Sequence, residues 1–428
     1  MMPAALPPPS FGVRCSECDT SFPDASPMFC TACRGLLSFD LATPLRFDVE
    51  RYKNIFASRR SSSHHCDRSG VWRFRELMPF IDVAAIVTLR EGDVPVYEAR
   101  HGADYAGAQR VRYLHEGMNP TGSFKDFGMT VAISHAHAEN ARVAVCASTG
   151  NTSASMAAYA ARAGMAAVVL IPEGGISEGK LAQTLDYGAR VFAIAGDFDA
   201  ALGVVRSLDA RRFAIVNSIN PFRIEGQKTT AFVLLEASEW HAPDWVILPG
   251  GNLGNASALG KGFREAWQLG LADRIPRLAV IQAAGAAPFV RAFESGEALI
   301  PVRAETDATA IKIGAPASWR KALHEVRTSE GIVVAVTDAQ IADARAVVGQ
   351  DGIGCEPASA ASLAGLRTLI ERGTIARDED VVVVLTGHML KDAAYAARYH
   401  QGNAAFANRI VRVADAEAAR RELEALAS

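Results

Sequence analysis

Short runs of β-branched and other apolar residues alternate with longer amphipathic stretches over most of this 428-residue chain, and no other feature constrains its fold as much. VAVCAS (143–148) leads into 151–163, AVVLI (167–171) into 180–188, RVFAIAG (190–196) into 198–210, and FAIVNS (213–218) into 225–240. WVILPG (245–250) precedes 255–270, RLAVIQ (277–282) precedes 288–296, and VVVVL (381–385) precedes 390–399. Strand and helix at this spacing imply βαβ units. The runs are apolar on both faces, as in parallel strands covered on both sides by helices. The expected fold class is α/β, in at least two lobes with parallel or mixed sheets flanked by helices. Ligands in such sheets bind beyond the carboxyl ends of the strands, where the unusual polar loops of this chain fall.

Apolar types make up 49% of the residues and charged types 21%, the balance of an ordinary globular chain. A formal charge of −3 argues against nucleic-acid binding driven by net charge. No apolar run approaches the roughly 18 residues of a membrane-spanning helix. The N-terminal MMPAALPPPSFG lacks the basic and apolar regions of a secretory signal. A cytoplasmic protein is expected, with neither membrane nor nucleic acid as partner.

Residues 1–12 are Pro-rich and read as flexible, and 58–70 as a loop. Between them, Cys15, Cys18, Cys30 and Cys33 form two CxxC pairs separated by eleven residues, 19–29. Clustered thiols in a reducing compartment hold a metal more often than they form disulfides. Four thiolates would close a tetrahedral zinc site with no open position, making it structural. Reduced, metal-free cysteines are the other reading. Cys146 and Cys355, beside apolar runs, are expected in the core.

Several polar loops could carry chemistry, and each has an ordinary structural reading. PGGNLGN (249–255) lies between a buried strand and a helix, where glycines let backbone N–H groups approach a phosphate. It also reads as a tight turn. HEGMNPTGSFKDFGM (115–129) places Lys125 between Phe124 and Phe127, where desolvation would favour the neutral, nucleophilic amine. The plain alternative is a solvated Lys125–Asp126 surface pair. Ser148, Thr149, Asn151 and Thr152 open an Ala-rich helix and would either cap it or hold a carboxylate. Asn217, Ser218, Asn220 and Arg223 cluster just after a strand, and Arg223 would either clamp an oxyanion or pair with Glu225. Thr386 ends the buried run VVVVL with one neutral hydroxyl.

The order of these segments resembles the fold-type II pyridoxal-phosphate enzymes. NPTGSFKD (119–126), CASTGNTSA (146–154), NSINPFRIEGQKT (217–229), ATAIKIGAPASW (308–319), CEPASAAS (355–362) and TGHMLKD (386–392) are similar to motifs of the threonine synthase family. SGVWRFREL (69–77), PGGNLGN and DRIPRL (273–278) resemble its plant-like branch. The likeness runs from about residue 45 to 395. It implies a division into an N-terminal module (1–44), a large cofactor-binding lobe (45–127 and 233–428) and a small lobe (128–232). It further implies that Lys125 carries pyridoxal 5′-phosphate as a Schiff base and serves as catalytic base, that Asn151 meets the cofactor's 3-hydroxyl, and that Thr386 faces its pyridine nitrogen. Gly250, Gly251, Asn252, Leu253, Gly254 and Asn255 would cradle the cofactor phosphate. Ser148, Thr149 and Thr152 would hold the substrate carboxylate, and Asn217, Ser218 and Arg223 the phosphate of O-phospho-L-homoserine. A homodimer is implied in the same way.

The physical reading agrees with that assignment. Replacement at the γ-carbon needs one base for a Cα and then a Cβ proton, an electron sink, and a cradle for a departing phosphate dianion. Enzymes that only eliminate from serine or threonine need no second anion site, so 217–223 discriminates. The family's GEGNTPL reads REGDVPV (90–96) here, Phe127 stands where many members have Arg, and Met389 replaces a Gly. The rivals are another fold-type II enzyme, a dehydratase or a cysteate-synthase-like β-replacement enzyme, and a catalytically dead homologue serving as a binding protein.

Overall fold

The computed structural model describes residues 10–23, 29–42, 48–173, 178–196, 198–209, 212–402, 404–408 and 410–427. Two sheets carry the α/β body. The larger has six strands in the order Ile332–Val336, Arg277–Ala283, Trp245–Pro249, Asp380–Leu385, Arg110–His115, Val96–Glu98. Neighbouring strands run parallel except the edge strand Val96–Glu98, which is antiparallel to Arg110–His115. The smaller has four parallel strands in the order Arg190–Ile194, Ala166–Pro172, Val143–Ala147, Ala214–Ile215. The central strands Trp245–Pro249 and Asp380–Leu385 are buried almost throughout, which is why their sequences show no polar alternation. Cys146 and Cys355 are core residues, as expected.

Helix ends differ from the sequence reading where local capping decides them. The stretch expected as one helix over 225–240 forms two, Pro221–Gln227 and Thr229–Ala237. The first starts early because the Asn220 side chain accepts from Phe222 N–H at 2.9 Å and Pro221 occupies the first turn. The second ends where Glu239 and Trp240 turn left-handed, with φ of 51° and 69°. Residues 58–60, expected in a loop, finish the helix Val49–Arg60. The strand Arg110–His115 escapes a hydrophobic scan because its Arg112 reaches Asp380 at 2.7 Å and Ser238 at 2.9 Å.

The N-terminal segment forms a three-stranded antiparallel sheet, Ser21–Phe22, Phe11–Cys15, Leu37–Leu41. Phe11 and Gly12, expected in a flexible stretch, pair with Leu41 and Asp40; residues 1–9, 24–28 and 43–47 lie outside the described residues. Among the described residues no helix is long and apolar enough to cross a membrane.

Candidate active site

The carboxyl ends of both sheets open on one cavity of about 1400 Å³. Typical small-molecule pockets are roughly 300–1,000 Å³, so there is room for two ligands side by side. Lys125 begins the helix Lys125–Ala138 at its wall. The residue before it, Phe124, donates its N–H to the Thr386 carbonyl at 2.9 Å, and the Lys125 Nζ lies 3.8 Å from the Phe124 ring centroid. The amine keeps some access to the cavity, yet burial, with repulsion from Arg223 second, pushes its pKa down to about 7. The surface-pair reading fails at Asp126. That carboxylate is buried and accepts from Thr121 N–H and Oγ1 at 2.7 and 2.6 Å and from Ser155 Oγ at 2.5 Å. It ties the loop before Lys125 to the helix Asn151–Arg162 and leaves the amine unpaired by it.

That helix opens at Gly150, where Ser148 Oγ accepts from the Gly150 N–H at 3.2 Å and Ser153 Oγ donates to the Gly150 carbonyl at 2.8 Å. Ser148, Thr149, Asn151 and Thr152 all line the cavity. The Asn151 amide donates to both oxygens of Glu356, at 3.2 and 3.0 Å. Glu356 is buried, which raises its pKa. Across the cavity, Thr386 is buried and its hydroxyl shares a 2.9 Å hydrogen bond with Ser359, which accepts from Gly387 N–H at 2.9 Å. Among the described residues no charged group hydrogen-bonds that hydroxyl.

The loop after Trp245–Pro249 turns through Leu253, whose φ of 65° is left-handed despite its side chain, into the helix Gly254–Gln268. The helix start has no side-chain cap, so its first-turn N–H groups face the cavity as an anion site. Gly251, Asn252, Leu253, Gly254 and Asn255 line the cavity, whereas Gly250 lies a layer behind. Its N–H donates to the Ile281 carbonyl at 2.6 Å, and a Cβ there would meet Val280 Cγ1 at 2.7 Å. A Cβ on Gly251 would press to 3.1 Å from Ile311 Cα. Asn255 donates to Glu116 Oε2 at 3.2 Å, while its own Oδ1 is buried without a partner.

Arg223 is the decisive side chain. It is buried, its Nη1 donates to the Val216 carbonyl at 3.1 Å, and its Nε has no partner. The expected alternative partner, Glu225, is instead taken by Lys228 and Lys261. Among the described residues no carboxylate forms an ion pair with Arg223, and burial lowers its pKa to about 10. A buried cation without a counter-charge is costly unless an anion arrives. Ser218 accepts from Asn252 Nδ2 beside it. Asn217 departs from expectation in part. Its amide brackets the strand end by two bonds to the backbone of Ala147, at 3.2 and 3.1 Å, which leaves one Nδ2 N–H for an anion in the cavity that Asn217 lines.

Sequence reading missed three polar groups. Glu116 is buried, accepts from Thr230 at 3.0 Å as well as from Asn255, and is pushed up to about 8 by burial. Glu356 stands behind Asn151. Lys391 lines the cavity and donates to Gln183. No sequence signal marks the first two, since Glu116 and Glu356 are set apart only by their burial in the fold. The departures are local: Glu91 of REGDVPV is buried and accepts from Ser69, Thr88 and Tyr159, and Phe127 is wholly in the core.

The four clustered cysteines converge at one end of the N-terminal sheet. Cys15 and Cys33 sulfurs are 3.4 Å apart, Cys18 and Cys30 sulfurs 3.6 Å, and all four atoms lie within 4.8 Å of one another. Zinc–sulfur bonds of about 2.3 Å in a tetrahedron need sulfur separations close to these.

Comparison with known proteins agrees with this geometry. Residues 87–387 match the model of the pyridoxal-phosphate dependent enzyme family. The chain is 43% identical over 389 residues to a threonine synthase of Methanocaldococcus jannaschii, covering 90% of this chain and 94% of that one. It is 47% identical over 342 residues to a threonine synthase of Synechocystis, covering 78% and 87%. In shape it resembles threonine synthase from Escherichia coli, with a TM-score of 0.66, 20% identity, and 96% and 94% of the two chains covered. A fungal L-serine ammonia-lyase from Rhizomucor miehei is nearly as close in shape, with a TM-score of 0.63 at 21% identity over 72% and 98%.

Proposed function

The chain belongs to the pyridoxal-phosphate-dependent enzyme family, and within it to the threonine synthases; from that membership we propose that it converts O-phospho-L-homoserine and water to L-threonine and phosphate. Fold alone does not separate this reaction from serine deamination, since both kinds of enzyme resemble the chain in shape. The observation that carries the reading is Arg223, a buried guanidinium that has no carboxylate partner among the described residues, on the wall shared with Lys125.

Pyridoxal phosphate fits the residues present. In our reading its phosphate would be held by Gly251, Asn252, Leu253, Gly254 and Asn255, supported by the uncapped helix start with its free first-turn N–H groups. Asn151 and Thr386 would hold its ring, and Lys125 would hold its aldehyde carbon. When bound, it supplies an electron sink conjugated to the substrate's α-carbon. The protein supplies the rest. Lys125, close to neutral near pH 7, would move protons at Cα and then at Cβ. Ser148, Thr149 and Thr152 orient the substrate carboxylate. Arg223, with Ser218 held by Asn252, neutralises the phosphate as its bond to the γ-carbon breaks. A proton is then returned to the γ-carbon, the hydroxyl of water adds at Cβ, and Cα regains a proton. The neutral Thr386 hydroxyl would leave the cofactor's ring nitrogen less cationic than a carboxylate would.

The chain is read as three units, 1–44, 45–127 with 233–428, and 128–232; the larger sheet draws its strands from the second and the smaller from the third. The module is read as a structural zinc site, and the protein as a cytoplasmic homodimer. Phosphate release from O-phospho-L-homoserine, set against release from O-phospho-L-serine, tests the function. We expect turnover of the former; turnover of the latter alone overturns the reading.

A further inference from the structure

The cysteine module lies directly against the helix that carries Arg223. Phe39, on the strand Leu37–Leu41, has its ring centroid 5.2 Å from that of Phe222, the residue next to Arg223. Phe222 is stacked on its other side by His135 at 3.7 Å, and His135 belongs to the helix that Lys125 begins. Phe80 completes the cluster, stacking on Phe39 at 4.2 Å and meeting Phe222 at 5.7 Å. A second line of contact is polar. Lys261 donates to the Phe39 carbonyl and to Glu225, two residues past Arg223. Lys228, one turn on, reaches Glu225 at 2.6 Å and Glu265 at 2.8 Å, with its Nζ 4.8 Å from the Phe11 ring. Lys321 donates to the Leu37 carbonyl.

These contacts start from the strands that the cysteines anchor. Cys15 ends the strand Phe11–Cys15 and pairs with Leu37, the first residue of the strand that offers both carbonyls. The Arg223 helix has little slack on its far side. A Cβ on Gly226 would fall 2.0 Å from the Phe127 carbonyl oxygen, and one on Gly128 would fall 2.6 Å from that of Arg223. The helix is therefore wedged between the Lys125 helix and the module.

We propose that the metal-loaded cysteine module is a positioning clamp for the Arg223 helix, fixing through Phe39, Phe222 and Lys261 the guanidinium that receives the substrate's phosphate. The inference rests on the zinc reading of Cys15, Cys18, Cys30 and Cys33 and adds a role in substrate binding to it. Phe39 and Phe222 act here through Arg223 and touch neither substrate nor cofactor.

The test compares the holoenzyme with two variants. Cys18→Ser/Cys33→Ser changes the two exposed thiols and leaves the two buried ones in place. Phe39→Leu keeps all four thiols and loosens only the ring cluster. Zinc per chain, the visible absorbance of the lysine-bound cofactor, KM and kcat for O-phospho-L-homoserine, inhibition by unphosphorylated L-homoserine, and hydrogen exchange over 221–227 are measured for each. The clamp predicts zinc lost only in the double variant, a KM raised roughly tenfold in both, the tenfold factor corresponding to about 1.4 kcal/mol, unchanged cofactor absorbance and L-homoserine inhibition, and faster exchange over 221–227. A zinc-loaded wild type whose KM is indifferent to Phe39→Leu overturns the clamp alone. A wild type that holds no zinc overturns the metal reading beneath it. If the double variant fails to fold, Phe39→Leu decides.

Discussion

Arg223 and Lys125 are cations placed where proteins seldom leave them, buried or crowded, unpaired, and on one cavity wall. The two are tuned to different ends. Arg223 keeps its charge, because a pKa of about 10 still protonates it at neutral pH, whereas Lys125 at about 7 is half neutral there. Arg223→Ala is expected to raise KM for O-phospho-L-homoserine by roughly 10- to 100-fold, the worth of charged hydrogen bonds. Binding of unphosphorylated L-homoserine should hardly change, and equal losses for both would refute the anion site. Lys125→Ala should abolish the absorbance of the lysine-bound cofactor and lower turnover by about a thousandfold or more. The lysine's lowered pKa also has a sign. Neutral amine accumulates above the folded value, so the rate at which apoprotein captures added pyridoxal phosphate should climb through pH 7 and level off. A lysine at its ordinary 10.5 would keep gaining about tenfold per pH unit well past that point. Glu116, neutral below about 8 in the folded protein, is mimicked by Gln; Glu116→Gln should keep cofactor affinity, and Glu116→Ala, which strands Asn255, should weaken it severalfold in an equilibrium titration.

Elements position these residues through close backbone approach. The helices Lys125–Ala138 and Pro221–Gln227 touch at glycines 128 and 226, so Gly226→Ala must push them apart. A loss of about 1–3 kcal/mol is expected, read from the urea midpoint. Strand and helix identity was legible in the sequence wherever a strand is buried on both faces, as in VVVVL and WVILPG. It was not legible for Arg110–His115, whose arginine is recruited to a neighbouring acid, nor for the early start of the Arg223 helix, which an asparagine cap and a proline decide. The segments expected at the site do gather on one cavity, because strand carboxyl ends must share one side of a parallel sheet. Which members point inward was beyond reach. Gly250 is turned to a backbone partner, Asn217 lines the cavity with part of its amide bonded to Ala147, and the buried acids Glu116 and Glu356 give no signal until the fold encloses them.

On the scale of the whole molecule, two sheets present their active ends to one space, and the N-terminal module leans on the helix between them. A molecule that holds uncompensated positive charge in that space is stabilised by any anion that fills it. Added inorganic phosphate should raise the thermal midpoint of the holoenzyme, approaching about 2.7 kcal/mol of stabilisation at a hundred times its dissociation constant. The shift should be largely absent in Arg223→Ala, as followed by calorimetry; an undiminished shift would place the anion elsewhere. This one space removes a phosphate and adds a water in a single turnover. Threonine and phosphate measured together from O-phospho-L-homoserine test it most directly. Equal amounts of the two are predicted, and phosphate released without threonine would contradict it.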